Sequence, residues 1–157
     1  MASRKTPEPG QPETDCLFCR VAAGRADAQI VFEDDVSIAL LDARPLFPGH
    51  CLLISKAHHE TLSDLPKELI ARLFSNAQDL AAAVKGAMQA EGTFVAVNNT
   101  VSQSVPHFHI HIVPRRRKDG LRGFFWPRHA YSSEDEMIAV RNVLSSWVEK
   151  SIRNASR

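Results

Sequence analysis

No apolar run in this sequence approaches the roughly 20 residues needed to cross a bilayer, so no membrane partner is expected. A strong charge of either sign is missing too. Nineteen Lys and Arg against 18 Asp and Glu leave a formal net charge of +1, which supplies no global field calling for nucleic acid as a partner. Cysteine is scarce, with three in 157 residues, and an odd count at such spacing does not suggest a disulfide framework. Met1-Ala2-Ser3-Arg4-Lys5 is not followed by the apolar stretch of a secretory leader. These absences together make a reducing, cytoplasmic setting the expectation. No internal repeat is visible. The composition, 44% hydrophobic and 24% charged, is that of an ordinary globular chain of one-domain size.

Residues 1–14 carry Pro7, Pro9 and Pro12 among polar neighbours and almost no apolar side chains, and are expected to be a disordered tail. Asp15 is placed to cap a short helix over Cys16 to Ala23, closed by Gly24. Strands are expected over Gln29–Glu33, Val36–Asp42, Cys51–Ser55 and Thr93–Asn98, with a Pro/Gly-marked loop from Ala43 to His50. The stripe Leu69, Ile70, Leu73, Ala77, Leu80, Ala81, Val84 and Met88 predicts a long helix that starts near Ser63 or Asp64 and ends at Gly92. After a basic run, Arg115 to Lys118, and the cluster Phe124-Phe125-Trp126, the capping-box pattern at Ser132 to Glu136 opens a last helix. Strands, a long helix, more strands and a helix make an α+β fold, with an antiparallel sheet covered mainly on one face.

The most informative segment is His107-Phe108-His109-Ile110-His111, predicted as a strand from about His107 to Val113. Alternation puts His107, His109 and His111 on one face and Phe108, Ile110 and Ile112 on the other, which belongs to a core. A single three-histidine metal centre fails on distance. Residues two apart on a strand are separated by about 6.6 Å, so His107 and His111 lie about 13 Å apart at the backbone. Nitrogens on one zinc each sit about 2 Å from it, so one strand supplies at most two of the three. Proton and phosphate chemistry, with one nucleophilic ring tuned by its neighbours, explains the row better.

Cys16-Leu17-Phe18-Cys19 is a Cys-x-x-Cys pair open to three readings: half of a zinc site, a redox pair or two buried thiols. No thioredoxin-like βαβ pattern surrounds it. Zinc would need two more ligands from elsewhere. Cys51, inside an apolar strand, reads as a buried small residue.

The segment His107 to Val113 matches, position by position, the His-apolar-His-apolar-His-apolar-apolar pattern of the histidine-triad (HIT) family. Gln103-Ser104-Val105 before it, Pro114-Arg115 after it, and Leu41-Asp42-Ala43-Arg44-Pro45 with Pro48-Gly49-His50 upstream also resemble that family, over roughly Asp15 to Trp126. The resemblance implies a HIT domain over 15–130 and a helical extension over 131–157. It further implies a five-stranded antiparallel sheet and a homodimer whose protomers share that sheet. By the same resemblance His109 forms a nucleotidyl-histidine intermediate, His111 contacts the reacting phosphate and leaving group, and His107 supports the triad. Asn98, Gln103 and Ser104 would contact the phosphates and the leaving group, Asp42 the ribose hydroxyls, and Phe18 and Leu40 the base, with Val105 a further substrate-binding residue. A bacterial, zinc-containing branch of the family carries the same Cys-x-x-Cys and Lys-x-His elements. This implies a structural zinc on Cys16, Cys19, His58 and His107, with His59 as the alternative to His58.

The functions implied are hydrolysis at the alpha-phosphate of a nucleoside phosphoramidate or dinucleoside polyphosphate, the substrate being a purine nucleotide or dinucleotide. A phosphorylase or nucleotidyltransferase with the same intermediate is an alternative, and a zinc-stabilised nucleotide-binding protein of low turnover is another. No organic cofactor is expected. The run Arg115 to Lys118 reads as a solvated loop or a polyphosphate contact, and Trp126 as a packing residue.

Overall fold

The computed structural model describes residues 16–121 and 130–155, with side chains described as far as Trp147. The proposed tail, Asp15, Phe124 to Trp126 and His129 lie outside the described residues. The chain divides into two units, one ending at Asp119 and the other beginning at Gly120.

Five strands run in the first unit: β1 (Ile30–Glu33), β2 (Ser37–Leu41), β3 (Cys51–Ser55), β4 (Gly92–Ala96) and β5 (His109–Arg115). All pair antiparallel in the order β1-β2-β3-β5-β4. Helix α1 (Leu17–Ala22) precedes β1, and α2 (Lys67–Ala87) connects β3 to β4. The α+β architecture with a five-stranded antiparallel sheet is the one expected.

Several boundaries differ from expectation. The long helix stops at Ala87, and Gly92 is the first residue of β4 instead of a helix terminator. Met88 already leaves the helix, and Gln89 turns the chain with φ at +50°. Before α2, Thr61 and Asp64 exchange the two bonds of a capping box on a single 3-10 turn, and α2 proper starts after Pro66. Strand β5 begins at His109 and extends to Arg115, so His107 precedes the ladder.

Strand alternation sorts the core into two layers. On one face Ala39, Leu53, Phe108, Ile110 and Ile112 pack against Leu73, Ala77 and Val84 of α2. On the other, Ile38, Leu40, Leu52 and Ile54 pack against Phe18 and Val21 of α1. The register Leu53↔Ile110 joins residues of the first layer, while Leu52↔His111 and Ile54↔His109 set the histidines over the second. Cross-sheet polar bonds fix where α2 crosses. Asn76 donates to Asp34 Oδ2 (2.7 Å) and Ser37 Oγ (3.0 Å), and Asp34 Oδ1 accepts the Val36 and Ser37 amides that close the β1–β2 turn.

In the second unit α3 (Glu134–Ala155) is capped as its sequence predicts. Ser133 Oγ accepts the Glu136 amide at 3.1 Å, and the Glu136 carboxylate accepts the Ser132 amide at 2.6 Å. No helix among the described residues is long and apolar enough to cross a membrane.

Candidate active site

The turn before β5 explains why His107 falls outside the ladder. Its amide donates to Val105 O (2.8 Å), and the next amide, Phe108, donates to His59 O (2.6 Å), so both are spent on loop partners. The ring still lies on the histidine face. The His109 and His111 centroids are 4.8 Å apart, and Phe18 stands edge-on to His107 at 5.7 Å and to His109 at 5.3 Å.

His109 is buried, and its Nδ1 lies 2.7 Å from the carbonyl oxygen of His107. A carbonyl only accepts, so Nδ1 carries the proton and Nε2 keeps its lone pair. That is the tautomer a nucleophile needs, set by the backbone two residues earlier.

His111 Nδ1 lies 3.0 Å from His50 Nε2, and His111 Nε2 is a buried atom without a hydrogen-bond partner among the described residues. Burial, followed by the neighbouring His109 and His50, pushes the His111 pKa down to about 4, so the ring is neutral at pH 7. Burial lowers that of His50 as well, against the opposing charge of Asp42. His50 Nδ1 has two neighbours, the Leu46 amide at 3.3 Å and Asp42 Oδ2 at 3.4 Å. Unprotonated it accepts from Leu46; a proton there would lie within ion-pair distance of Asp42. Asp42, Oδ1 of which accepts the Arg44 amide at 2.8 Å, is thereby joined to the histidine face through His50.

The sequence put His50 at the end of a loop, in a segment that resembles the family, with no role of its own. The signal was available in the alternation of β3: residues 50, 52 and 54 share a face, and Leu52 and Ile54 lie opposite His111 and His109. Gly49 makes the placement possible. Its φ is +90°, and a Cβ there would come within 2.6 Å of Met88 Cγ.

The four residues expected as metal ligands converge. Cys16 Sγ is 3.4 Å and Cys19 Sγ 3.5 Å from His107 Nδ1, and Cys19 Sγ is 3.2 Å from His58 Nδ1. With bonds of about 2.3 Å to sulfur and about 2.0 Å to nitrogen, a tetrahedral zinc sets sulfur–nitrogen edges of about 3.5 Å. The residues therefore fit the ion in type, number and spacing. The His107 ring is prepared for it: Nε2 donates to Ser55 O at 2.7 Å, which fixes the proton there and turns the Nδ1 lone pair toward both sulfurs. Burial also pushes the His107 pKa down to about 4. Of His58 and His59, it is the His58 ring that joins the cluster, while the His59 carbonyl accepts the Phe108 amide. Cys51 is buried, and burial raises its thiol pKa.

The remaining expected contacts sit around this frame. Leu40 and Phe18 are buried in one cluster, with Val105 packed against it. A cavity of about 530 Å³ is lined by Cys16, Leu17, His58, Ser104 and Val105. Ser104 is exposed. Gln103 donates to Glu60 O at 2.6 Å and to His107 O at 3.4 Å, which ties the loop to the carbonyl that holds His109 Nδ1. Asn98 donates to Ser102 O at 3.3 Å. An apolar cleft of about 460 Å³ on the α2 face, lined among others by Phe32, Leu41, Leu80 and Met88, lies away from the histidines. The basic run is engaged locally: Arg115 pairs with Asp119 (2.6 Å), Arg116 donates to Met88 O (2.6 Å), and Arg117 lies 3.7 Å from Glu91.

An antiparallel five-stranded sheet presenting three alternating histidines on one face defines a histidine-triad protein. The HIT domain profile matches residues 23–118, and the chain belongs to that family. Adenylylsulfatase HINT3 of Arabidopsis thaliana is 34% identical over 69% of this chain, which spans 56% of that protein's own length. Adenosine 5′-monophosphoramidase HNT1 of Saccharomyces cerevisiae is 31% identical over 77% of this chain and 76% of that protein. Among solved structures, a HIT family protein of Bacillus anthracis superposes with a TM-score of 0.77 at 30% identity, covering 87% and 97% of the two chains. A zinc-bound histidine-triad protein of Mycobacterium smegmatis does so with a TM-score of 0.65 at 32% identity, also covering 87% and 97%.

Proposed function

We propose that this protein is a nucleotide hydrolase that acts on the alpha-phosphate of a nucleoside phosphoramidate or dinucleoside polyphosphate through His109. The observation that carries the reading is the 2.7 Å contact of His109 Nδ1 with His107 O, which leaves Nε2 as a free nucleophile. Nε2 forms a bond to phosphorus while the bond to the leaving group breaks, its electron pair departing with the leaving atom. His111 Nε2–H gives that atom a proton, His50 Nε2–H replaces it at His111 Nδ1, and solvent returns one proton to His50 Nδ1. Water then attacks the nucleotidyl-histidine, and the same relay runs backwards to accept its proton. Two neutral rings thus move a proton without either becoming an imidazolate.

Asn98, Gln103 and Ser104 are proposed as phosphate contacts, Asp42 as the ribose contact, and Phe18, Leu40 and Val105 as the base pocket. The names of the two relatives, an adenylylsulfatase and an adenosine monophosphoramidase, support a purine nucleotide joined to a leaving group as the substrate class. Cys16, Cys19, His58 and His107 would hold a zinc ion whose chemistry is structural, since four protein ligands fill a tetrahedral shell. Strand β4 is an end strand of the sheet among the described residues, a position that supports pairing with a second copy in a homodimer. Kinetics of His109→Ala with a nucleoside phosphoramidate test the reading: turnover is lost while nucleotide binding survives, whereas full activity would refute it.

A further inference from the structure

Asp42, His50 and His111 do more than line up for proton transfer. One carboxylate oxygen and one nitrogen from each ring lie within 4.8 Å of one another. Two imidazoles and a carboxylate are a ligand set that borderline divalent cations accept, with positions left open for an outside ligand. The ring nitrogens are already 3.0 Å apart, close to the spacing of two nitrogens on one ion, and binding would draw the Asp42 carboxylate in toward them.

We propose that Asp42, His50 and His111 form a second metal site, chemically distinct from the cysteine-containing cluster, that takes a borderline divalent cation and switches turnover off. The inhibitory part of this proposal rests on the relay reading given above. A cation bound to His50 Nε2 and His111 Nδ1 occupies the two nitrogens between which the proton passes. The proton that bridged them moves to His50 Nδ1, where Asp42 lies at 3.4 Å. His111 Nε2 stays free to face the substrate, but its proton is no longer replaced from behind. A tetrahedral ion with three protein ligands keeps one open position, and a phosphate oxygen fits it. The cation therefore holds the nucleotide while stopping proton delivery, so kcat falls and KM does not rise.

Co2+ titration of the full-length protein, with elemental analysis and absorption spectroscopy, separates the two sites. The cysteine-containing site gives an intense thiolate-to-metal charge-transfer band; the second site gives visible bands without it. We expect a second equivalent of Co2+ to bind without a thiolate band in the native protein and in Cys16→Ser/Cys19→Ser. It is lost in His50→Gln and in Asp42→Asn, each confirmed folded by circular dichroism. As the second equivalent binds, kcat drops by about 100-fold and a chelator restores it, as expected for loss of general acid–base assistance. Binding of a single equivalent, persistence of the second in both variants, or an unchanged kcat with both sites filled would overturn the proposal. If the native protein turns over no nucleotide at all, the catalytic reading fails, while the Co2+ stoichiometry still decides whether the site exists.

Discussion

His50 Nε2 and His111 Nδ1 lie 3.0 Å apart, which couples the last histidine of the row to a residue 61 positions earlier. If that contact delivers the leaving-group proton, His50→Gln lowers kcat by about 100-fold for a nucleoside phosphoramidate, the usual scale of general acid assistance. The slowing of the first step, formation of the nucleotidyl-histidine, should be much smaller for a dinucleoside polyphosphate, whose phosphate leaving group departs without needing a proton. Rapid-quench rates of adduct formation on the two substrates check this, and equal slowing of that step on both would remove leaving-group protonation by the relay from the mechanism.

Gly49 sets the position of His50, and its requirement has two separable parts. Gly49→Ala is expected to destabilise the fold by about 1–3 kcal/mol through backbone strain at φ +90°, with a further cost from contact with Met88. In urea unfolding, Met88→Ala should relieve the second part in the double variant and leave the first. Complete rescue by Met88→Ala would show that strain at Gly49 is negligible.

The depressed pKa of His111 makes a signed prediction for stability. In the unfolded chain a histidine binds a proton as the pH falls through about 6.5, whereas folded His111 does so only at about 4. Between those values the unfolded state holds more protons, so stability declines as the pH is lowered from 6.5 to 4 and is level above. Melting temperatures across pH 4 to 8 measure it. For His111→Asn the decline should be shallower; an identical slope would assign it to other groups.

Elemental analysis of protein purified without added metal should find about one zinc per chain, as four converging ligands of this type require. Cys19→Ser, which removes the sulfur near both His58 and His107, should lose the metal and melt at a lower temperature. Metal-free native protein that is equally stable would contradict the structural role.

Much of this arrangement was legible in the sequence, because it follows from short periods. Alternation through Phe108, Ile110 and Ile112 foretold that this face belongs to a core, while the Cys-x-x-Cys spacing left three readings open until Cys16, at the N-cap of α1, and Cys19 were seen to approach His107 Nδ1 together. What local pattern could not supply was pairing register. His50 meets His111 only because β3 and β5 align Leu52 with His111. The start of β5 was misplaced for a related reason: the His107 and Phe108 amides are claimed by Val105 and His59, partners that no periodicity reveals. Gly92 illustrates a different failure. A glycine after a helical stripe reads as a stop, yet the helix had already ended at Ala87, and Gly92 pairs with Arg115 in the sheet.

The central claim is that His109 Nε2 attacks phosphorus because Nδ1 is held by the His107 carbonyl. Rapid quenching of the native protein with a nucleoside phosphoramidate, followed by peptide mass spectrometry, tests it directly. A nucleotidyl group is expected on the peptide carrying His107 to His111, localised to His109 and absent in His109→Ala. An adduct on His107 or His111, or full turnover in His109→Ala with no adduct on any histidine, would contradict it.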